Sequence, residues 1–346
     1  MKGKILVTGG AGYIGAHTVF ELFQEGFIPV ILDDFSRSDD TLLIGLTKLM
    51  GKDPLVCRGN CADADFIKGV FSAHQFEGVM HFAAYKAVGE SVENPLLYYR
   101  NNIESLTSLL EVMNANQVKN LIFSSSCTVY GQPEQVPVTE DAPFKRAESP
   151  YGATKQMCER ILEDVYPLGF RIVSLRYFNP IGAHPSALLG EIPMGRPNNL
   201  VPFITQTAIG KRPKLVVFGN DYNTPDGSNV RDFIHVVDLA KAHVKALELV
   251  KKQKENAYYD VFNLGTGVGV SVLELVRRFQ ELTGVNLNWE MGPRRPGDVE
   301  ITYADPTKAM EVMGWRTERS IEDALRDAWC WEQKLAEHQY AKPLTI

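Results

Sequence analysis

A doubly wound parallel α/β sheet with a smaller C-terminal α/β lobe is the fold class this sequence predicts, and three observations carry it. An apolar, β-prone run, Lys4-Ile5-Leu6-Val7, leads directly into glycines spaced three apart, Gly9, Gly12 and Gly15. Strand-like and helix-like segments then alternate as far as residue 175, the pattern of a parallel sheet with crossover helices. At 346 residues the chain exceeds the size at which one core usually stops growing, so two lobes are expected. Residues 1–180 are assigned to the sheet domain, rejoined by a later strand and helix near 232–263, and 181–346 mainly to the second lobe.

Each element has a local reason. The helix opening at Tyr13 runs towards Gly26, and Val30-Ile31-Leu32 forms a strand ending in Asp33-Asp34. Phe35 to Asp40 is polar and turn-like. A helix follows over Leu42 to Met50, then the strand Leu55-Val56-Cys57, a helix near Asp65 to His74, and the strand Gly78 to Ala83. Leu96 to Ala115 is a long helix. Asn120-Leu121-Ile122-Phe123 is expected as a strand that breaks at Ser124-Ser125-Ser126, and Tyr151 to Val165 as a helix. Arg171 to Leu175 is the strand that closes the N-terminal lobe. From Pro180 to Pro213, prolines together with Gly182, Gly190 and Gly195 mark an irregular segment around one helix, Leu200 to Ile209. Ser271-Val272-Leu273-Glu274 and Ser320-Ile321-Glu322-Asp323 have the spacing of capping boxes. Gly265-Thr266-Gly267-Val268-Gly269 is read as the tight turn before the first of these helices rather than a second nucleotide loop.

Bulk properties exclude several function classes. Hydrophobic residues are 45% and charged residues 23%, with net charge −6, ordinary values for a globular chain. An acidic chain without a Lys/Arg run gives no electrostatic footprint for nucleic acid or an anionic membrane. Cys57, Cys61, Cys127, Cys158 and Cys330 are odd in number and scattered, as expected of reduced thiols in a cytoplasmic protein, and they suggest no metal site. The first strand begins at Lys4, leaving no room for a signal peptide.

Two constellations carry chemistry. Glycines after a strand let backbone N–H groups approach a pyrophosphate at the positive end of the helix from Tyr13, the Rossmann arrangement. Asp33, about 20 residues further on, would accept hydrogen bonds from ribose hydroxyls and repel a 2′-phosphate, which favours NAD over NADP. Tyr151 and Lys155 are spaced i and i+4, on one helix face. A nearby ammonium is expected to lower the phenol towards use as a base near neutral pH. Ser126, at the carboxyl end of a strand, would hydrogen-bond the reacting oxygen. His81 and His235 flank apolar strands and are read as structural.

With these motifs, together with His81 to Ser91, Ser124 to Gly131, Leu175 to Pro180 and Val230 to His235, the chain resembles the extended short-chain dehydrogenase/reductase family over nearly its whole length. The likeness is to members that invert C4 of a UDP-hexose through a 4-keto intermediate. The resemblance implies that Tyr13, Ile14, Asp33, Asp34, Phe35, Ser36, Arg37, Ser38, Asn60, Cys61, Phe82, Ala83, Ala84, Lys86, Asn101, Tyr151, Lys155 and Phe178 surround NAD. It implies that Lys86, Ser126, Thr128, Tyr151, Asn179, Asn199, Leu200, Val216, Val217, Phe218, Arg231, Arg295, Asp298 and Thr302 surround the UDP-sugar. Arg231 and Arg295 suit a diphosphate because a guanidinium clamps its oxygens bidentately. A homodimer built from the Leu96 to Ala115 and Tyr151 to Val165 helices is implied as well.

Three positions depart from the family pattern. Asp34 stands where Asn is usual, Asn60 where Asp is usual, and Cys127 where Ala is common; Asn60 is expected to keep an acceptor for the adenine amine. Relatives that dehydrate or decarboxylate nucleotide sugars carry a carboxylate at position 127 or 128, and Cys127-Thr128 supplies none. Thr302 matches a position that faces the sugar. A small residue there leaves volume for an N-acetyl group, unless Tyr303 fills it.

Overall fold

The computed structural model describes residues 2–294 and 298–337. In chain order the first half comprises β1 (Lys4–Thr8), α1 (Tyr13–Gln24), β2 (Ile28–Asp33), α2 (Thr41–Met50), β3 (Leu55–Arg58), α3 (Ala64–Ala73) and β4 (Phe76–His81). It continues with α4 (Val88–Glu93), α5 (Pro95–Ala115), β5 (Asn120–Ser126), α6 (Pro150–Val165) and β6 (Arg171–Tyr177). The rest comprises β7 (Asn179–Ile181), α7 (Leu200–Ala208), β8 (Leu215–Phe218), β9 (Val230–Arg231), β10 (Phe233–His235), α8 (Val236–Lys252) and β11 (Tyr258–Leu264). It closes with β12 (Val270–Ser271), α9 (Val272–Thr283), β13 (Trp289–Gly292), β14 (Ile301–Thr302), α10 (Thr307–Met313) and α11 (Ile321–Ala336).

Seven parallel strands form the central sheet in the order β11-β6-β5-β4-β1-β2-β3. Strand order reverses between β1 and β4, and in such sheets a crevice opens beyond the carboxyl ends of those two strands. Alternation along β1 divides the apolar side chains between two faces. Ile5 and Val7 enter the core with Leu22, Leu46 and Leu247, whereas Leu6 enters the other with Ile67, Leu109 and Leu162. The second lobe has its own core, including Val201, Ile204, Leu215, Phe279 and Leu325.

Two expectations are corrected, those for the end of β5 and for the Ser271 cap. β5 does not break at Ser124 but continues through Ser126, because all three serines pair with Leu175 to Tyr177 of β6; ladder pairing overrides their weak strand propensity. β6 is the last strand of the first half, and β11, within the region near 232–263 expected to return to the sheet, pairs with it from Tyr258↔Arg171 to Leu264↔Tyr177. α4, a single short helix, had no periodic signal to announce it. Ser271 caps α9 by accepting from Glu274 N at 3.0 Å, but the Glu274 carboxylate turns to Arg278 instead of back to the cap. Only Ser320 and Asp323 form the full reciprocal box.

Candidate active site

The site is built on the turn between β1 and α1. Each of its spaced glycines has a different reason to lack a side chain. Gly9 has φ +70°, and a Cβ on it would meet Ala83 N at 2.8 Å. A Cβ on Gly15 would meet Gly9 O at 2.3 Å, so this glycine sets how closely α1 packs on the strand. Gly12 is the N-cap of α1 with no side-chain cap; a Cβ there would meet only Gly9 O, at 3.3 Å, and would otherwise project into open space. The first-turn N–H groups, beginning with those of Tyr13 and Ile14, are thus left to an anion from outside. A cleft beside them is lined by Gly12, Tyr13, Arg37 and Ser38, and by Ile192 and Met194 from the irregular segment.

Asp33, at the end of β2, is buried and accepts from Ala11 N at 3.0 Å, Phe35 N at 2.9 Å and Ser38 Oγ at 3.0 Å. About one of its four acceptor directions remains. Burial raises its pKa, and those hydrogen bonds pull the other way. Asp34 faces outward and binds the N–H and hydroxyl of Ser36. Arg37 pairs with Glu90 at 2.6 Å. Asn60 is exposed and its side-chain oxygen already accepts from Ala62 N at 2.8 Å, so the expected acceptor for an adenine amine is shared with the backbone turn. Cys61 is buried, and burial pushes its thiol up to about 12. Phe82 packs on the ring of His243, and Ala83 N reaches Thr8 Oγ1. Asn101 Nδ2 donates to the Asn102 side-chain oxygen at 3.0 Å. Asn102 in turn holds Tyr85 and Thr154, tying the segment that carries Ala84 and Lys86 to α6.

At the carboxyl end of β5, three residues converge from two elements. The Ser149 hydroxyl accepts from Gly152 N at 3.1 Å and Pro150 opens α6, which fixes Tyr151 in the first turn and Lys155 one turn later. The Ser126 hydroxyl faces the Tyr151 phenol and favours its ionised form. Lys155 is 3% exposed, donates to Ser124 O at 2.6 Å and lies 5.9 Å from the centre of the Tyr151 ring. Burial lowers its pKa to about 8. The expected lowering of the phenol by Lys155 is not found in the protein alone: burial raises Tyr151 above its ordinary value, and the neighbouring Ser126 hydroxyl offsets this only in part. A phenolate loses more by leaving water than a phenol does, so desolvation dominates.

The residues named for the sugar side are distributed more loosely. Thr128 Oγ1 and Asn179 Oδ1 are buried with no hydrogen-bond partner among the described residues. Such atoms ordinarily have one, so both are free to meet a polar ligand. Arg231 donates to Val230 O and Glu300 O, and Asp298 lies 3.9 Å from its guanidinium. Thr302 pairs with Arg231 in register, so the two share a face. The Tyr303 ring packs over Gly269, whose Cβ would meet it at 3.0 Å. Asn199 caps no backbone group and donates to Glu191 Oε1 at 2.6 Å. Lys86 is exposed and reaches the same oxygen at 3.4 Å. Leu200 and Phe178 pack within apolar clusters. Val217 is 1% exposed in the second core, so its side chain points away from the crevice, while Val216 and Phe218 stand on the other face of β8. Arg295 lies outside the described residues.

His81 donates to or accepts from Thr8 Oγ1 at 2.8 Å and stacks on Phe123, while His235 accepts from Val237 N and meets Asp327. Both are held within the protein. Sequence reasoning missed two features. Glu191 joins Lys86 and Asn199, and nothing in its sequence neighbourhood signalled this. The Gly265 to Gly269 turn does form an anion nest, but the anion is Asp232, which accepts from Thr266 N at 2.8 Å, Thr266 Oγ1 at 2.7 Å, Gly267 N at 3.1 Å and Ala304 N at 3.1 Å. The Arg231-Asp232 pair in the sequence was the available signal.

Comparison with known proteins agrees with this geometry. The family model described as GDP-mannose 4,6 dehydratase matches residues 6–328. A UDP-glucose 4-epimerase of Yersinia enterocolitica is 48% identical over 333 residues, covering 95% of this chain and 97% of its own. The crystal structure of UDP-glucose 4-epimerase from Stenotrophomonas maltophila, with bound NAD and formylated UDP-arabinopyranose, superposes with TM-score 0.93 at 42% identity, covering 96% of this chain and 99% of that one. The UDP-Glc/GlcNAc 4-epimerase of Campylobacter jejuni is similar at TM-score 0.82 and 35% identity, covering 96% and 100%.

Proposed function

We propose how the residues of this chain, which belongs to the UDP-glucose 4-epimerase family, perform the NAD-dependent interconversion of UDP-glucose and UDP-galactose through a 4-keto sugar. The convergence of Ser126, Tyr151 and Lys155 at one strand end is the observation that carries this reading. NAD, when bound, supplies a hydride acceptor for C4 and a positively charged ring. Its pyrophosphate would lie on the N–H groups of α1 before Gly12, with Asp33 at a ribose and the 34–38 segment around it.

Tyr151 holds the proton that moves. In the protein alone burial keeps the phenol protonated; beside the Lys155 ammonium and the positive charge that NAD would bring it releases that proton to solvent, and the phenolate takes the O4 proton of one epimer and returns it to the other. Ser126 orients O4 through its hydroxyl, and the Lys155 ammonium stabilises negative charge as it develops on the phenol. Thr128 and Asn179 present unpartnered polar atoms to the sugar, and Arg231 meets the diphosphate. Holding the substrate by its diphosphate leaves the hexose free to turn over between the two hydride steps. No carboxylate stands at Cys127 or Thr128 to move a second proton, which favours epimerisation over dehydration.

The reading extends to UDP-N-acetylhexosamines, supported by Thr302, small and beside Arg231, and by the Tyr303 ring packing on Gly269. A homodimer is supported by apolar side chains left exposed on α5 and α6, with Leu96 80% and Met157 47% exposed. A role in galactose metabolism and a cytoplasmic location complete it; among the described residues no helix is long and apolar enough to cross a membrane. Purified protein given UDP-galactose and no added NAD should yield UDP-glucose. A 4-keto-6-deoxy product, or none, would overturn the assignment.

A further inference from the structure

Behind the catalytic trio lies a charged pair to which the reaction assigns no task. Glu159 is fully buried and sits one turn beyond Lys155 on the same face of α6. Its carboxylate receives Arg176 of β6 in a fork, Nε to Oε1 at 3.0 Å and Nη2 to Oε2 at 2.6 Å. It also accepts from the hydroxyl of Ser125, the residue between Ser124, which holds Lys155, and Ser126, which faces Tyr151. Arg176 continues to the Tyr130 hydroxyl at 3.0 Å and Glu140 O at 3.1 Å. Apolar side chains of similar volume would often hold a helix against a sheet as well as a buried pair does. A pair in this position calls for another explanation.

We propose that Glu159, seated by Arg176, is a positioning residue that fixes α6 against the three serines of β5 and keeps the Lys155 ammonium charged beside Tyr151. Lys155 is faced by Tyr151, Cys158 and Glu159 from its own helix, His81 from β4 and the Ser124 carbonyl from β5; from β6, Arg176 meets Glu159 and Tyr177 meets the Ser124 hydroxyl. Burial lowers Lys155; Cys158 and Glu159 are the neighbours that raise it. His81 offers no charge at neutral pH, its pKa being lowered to about 3 by burial and by Lys155 itself. The buried carboxylate thus opposes the loss of charge that the apolar site imposes on the lysine. The inference rests on the epimerase reading, because only there does the charge on Lys155 govern turnover.

The test compares wild type, Glu159→Gln, Glu159→Asp and the doubly neutral Glu159→Gln/Arg176→Gln, all as NAD-loaded protein. Profiles of kcat against pH for UDP-galactose are recorded, with UDP affinity by calorimetry and bound NAD by absorbance. Activity should fall as pH rises through the Lys155 value. In Glu159→Gln that fall should move about one unit lower, as expected for removal of one nearby charge, while UDP affinity and NAD content stay within twofold. The double variant removes the cation with the carboxylate, so the two effects on Lys155 oppose and its limb should move less than that of Glu159→Gln; its kcat should still fall because the seat of α6 is lost, which carries the positioning test if the single variant does not fold. Glu159→Asp keeps the charge and should keep the wild-type limb, with kcat lowered by its shorter reach. A limb unmoved in Glu159→Gln, a double variant with wild-type kcat, or a limb moved equally in Glu159→Asp, would overturn the proposal. An inactive wild type would instead overturn the epimerase reading.

Discussion

Removing a single oxygen, Tyr151→Phe leaves a ring of the same shape in the same buried place, so packing and the glycine turn are undisturbed. What is lost is the positioned acid and base, and turnover should fall about 10²-fold or more with NAD content unchanged; assay of the purified variant beside its cofactor absorbance checks both. Thr302 poses a question of volume rather than chemistry. If the wild-type protein interconverts UDP-N-acetylglucosamine and UDP-N-acetylgalactosamine at a rate comparable to the glucose pair, Thr302→Tyr should abolish that reaction and spare the other. A wild type confined to the plain hexoses would contradict this account of the pocket and leave the epimerase assignment standing. Tyr151, Lys155, Asp33 and the glycines were legible because their spacing is local. Glu159, Glu191 and Asp232 were not, since each acts through a partner remote in sequence: Arg176 for Glu159, Lys86 for Glu191, and Thr266, Gly267 and Ala304 for Asp232.

At the level of elements, periodicity located the long helices and the buried strands, and it failed where pairing decided the outcome. Ser124 to Ser126 read as a break yet form the end of β5, because β6 offers a full ladder and α6 offers Glu159 and Lys155 as partners. The same extension brings the Ser126 hydroxyl to Tyr151. Two helices of this site also carry the exposed apolar positions Leu96 and Met157. Introducing charge at both, Leu96→Glu with Met157→Glu, should halve the mass measured by light scattering while the monomer remains folded. A wild-type protein that is already monomeric would contradict the dimer proposal.

Across the whole molecule, three fully buried histidines tie stability to pH. Burial lowers His17 and His81 to about 3 and His243 to about 4. Since each folded value lies below the ordinary 6.5, the unfolded chain binds protons that the folded one refuses. The stabilisation is therefore complete above about pH 6.5 and is lost as pH falls towards these values, by about 1.4 kcal/mol per unit for each group. The opposing upward shifts of buried Asp33 and Asp232 start from 3.8, so the histidine contribution is cleanest near the top of the window. Urea unfolding at pH 7, 6 and 5 should show a falling free energy; a flat profile would contradict the burial of these rings in the neutral form.

The central claim is that C4 is oxidised and reduced within one closed site, with no net redox change. The most direct measurement uses UDP-galactose carrying deuterium at C4, incubated with the protein as purified and followed by proton NMR. The account predicts UDP-glucose that retains the deuterium at C4, with none released to water. Product bearing solvent hydrogen at C4 would contradict it.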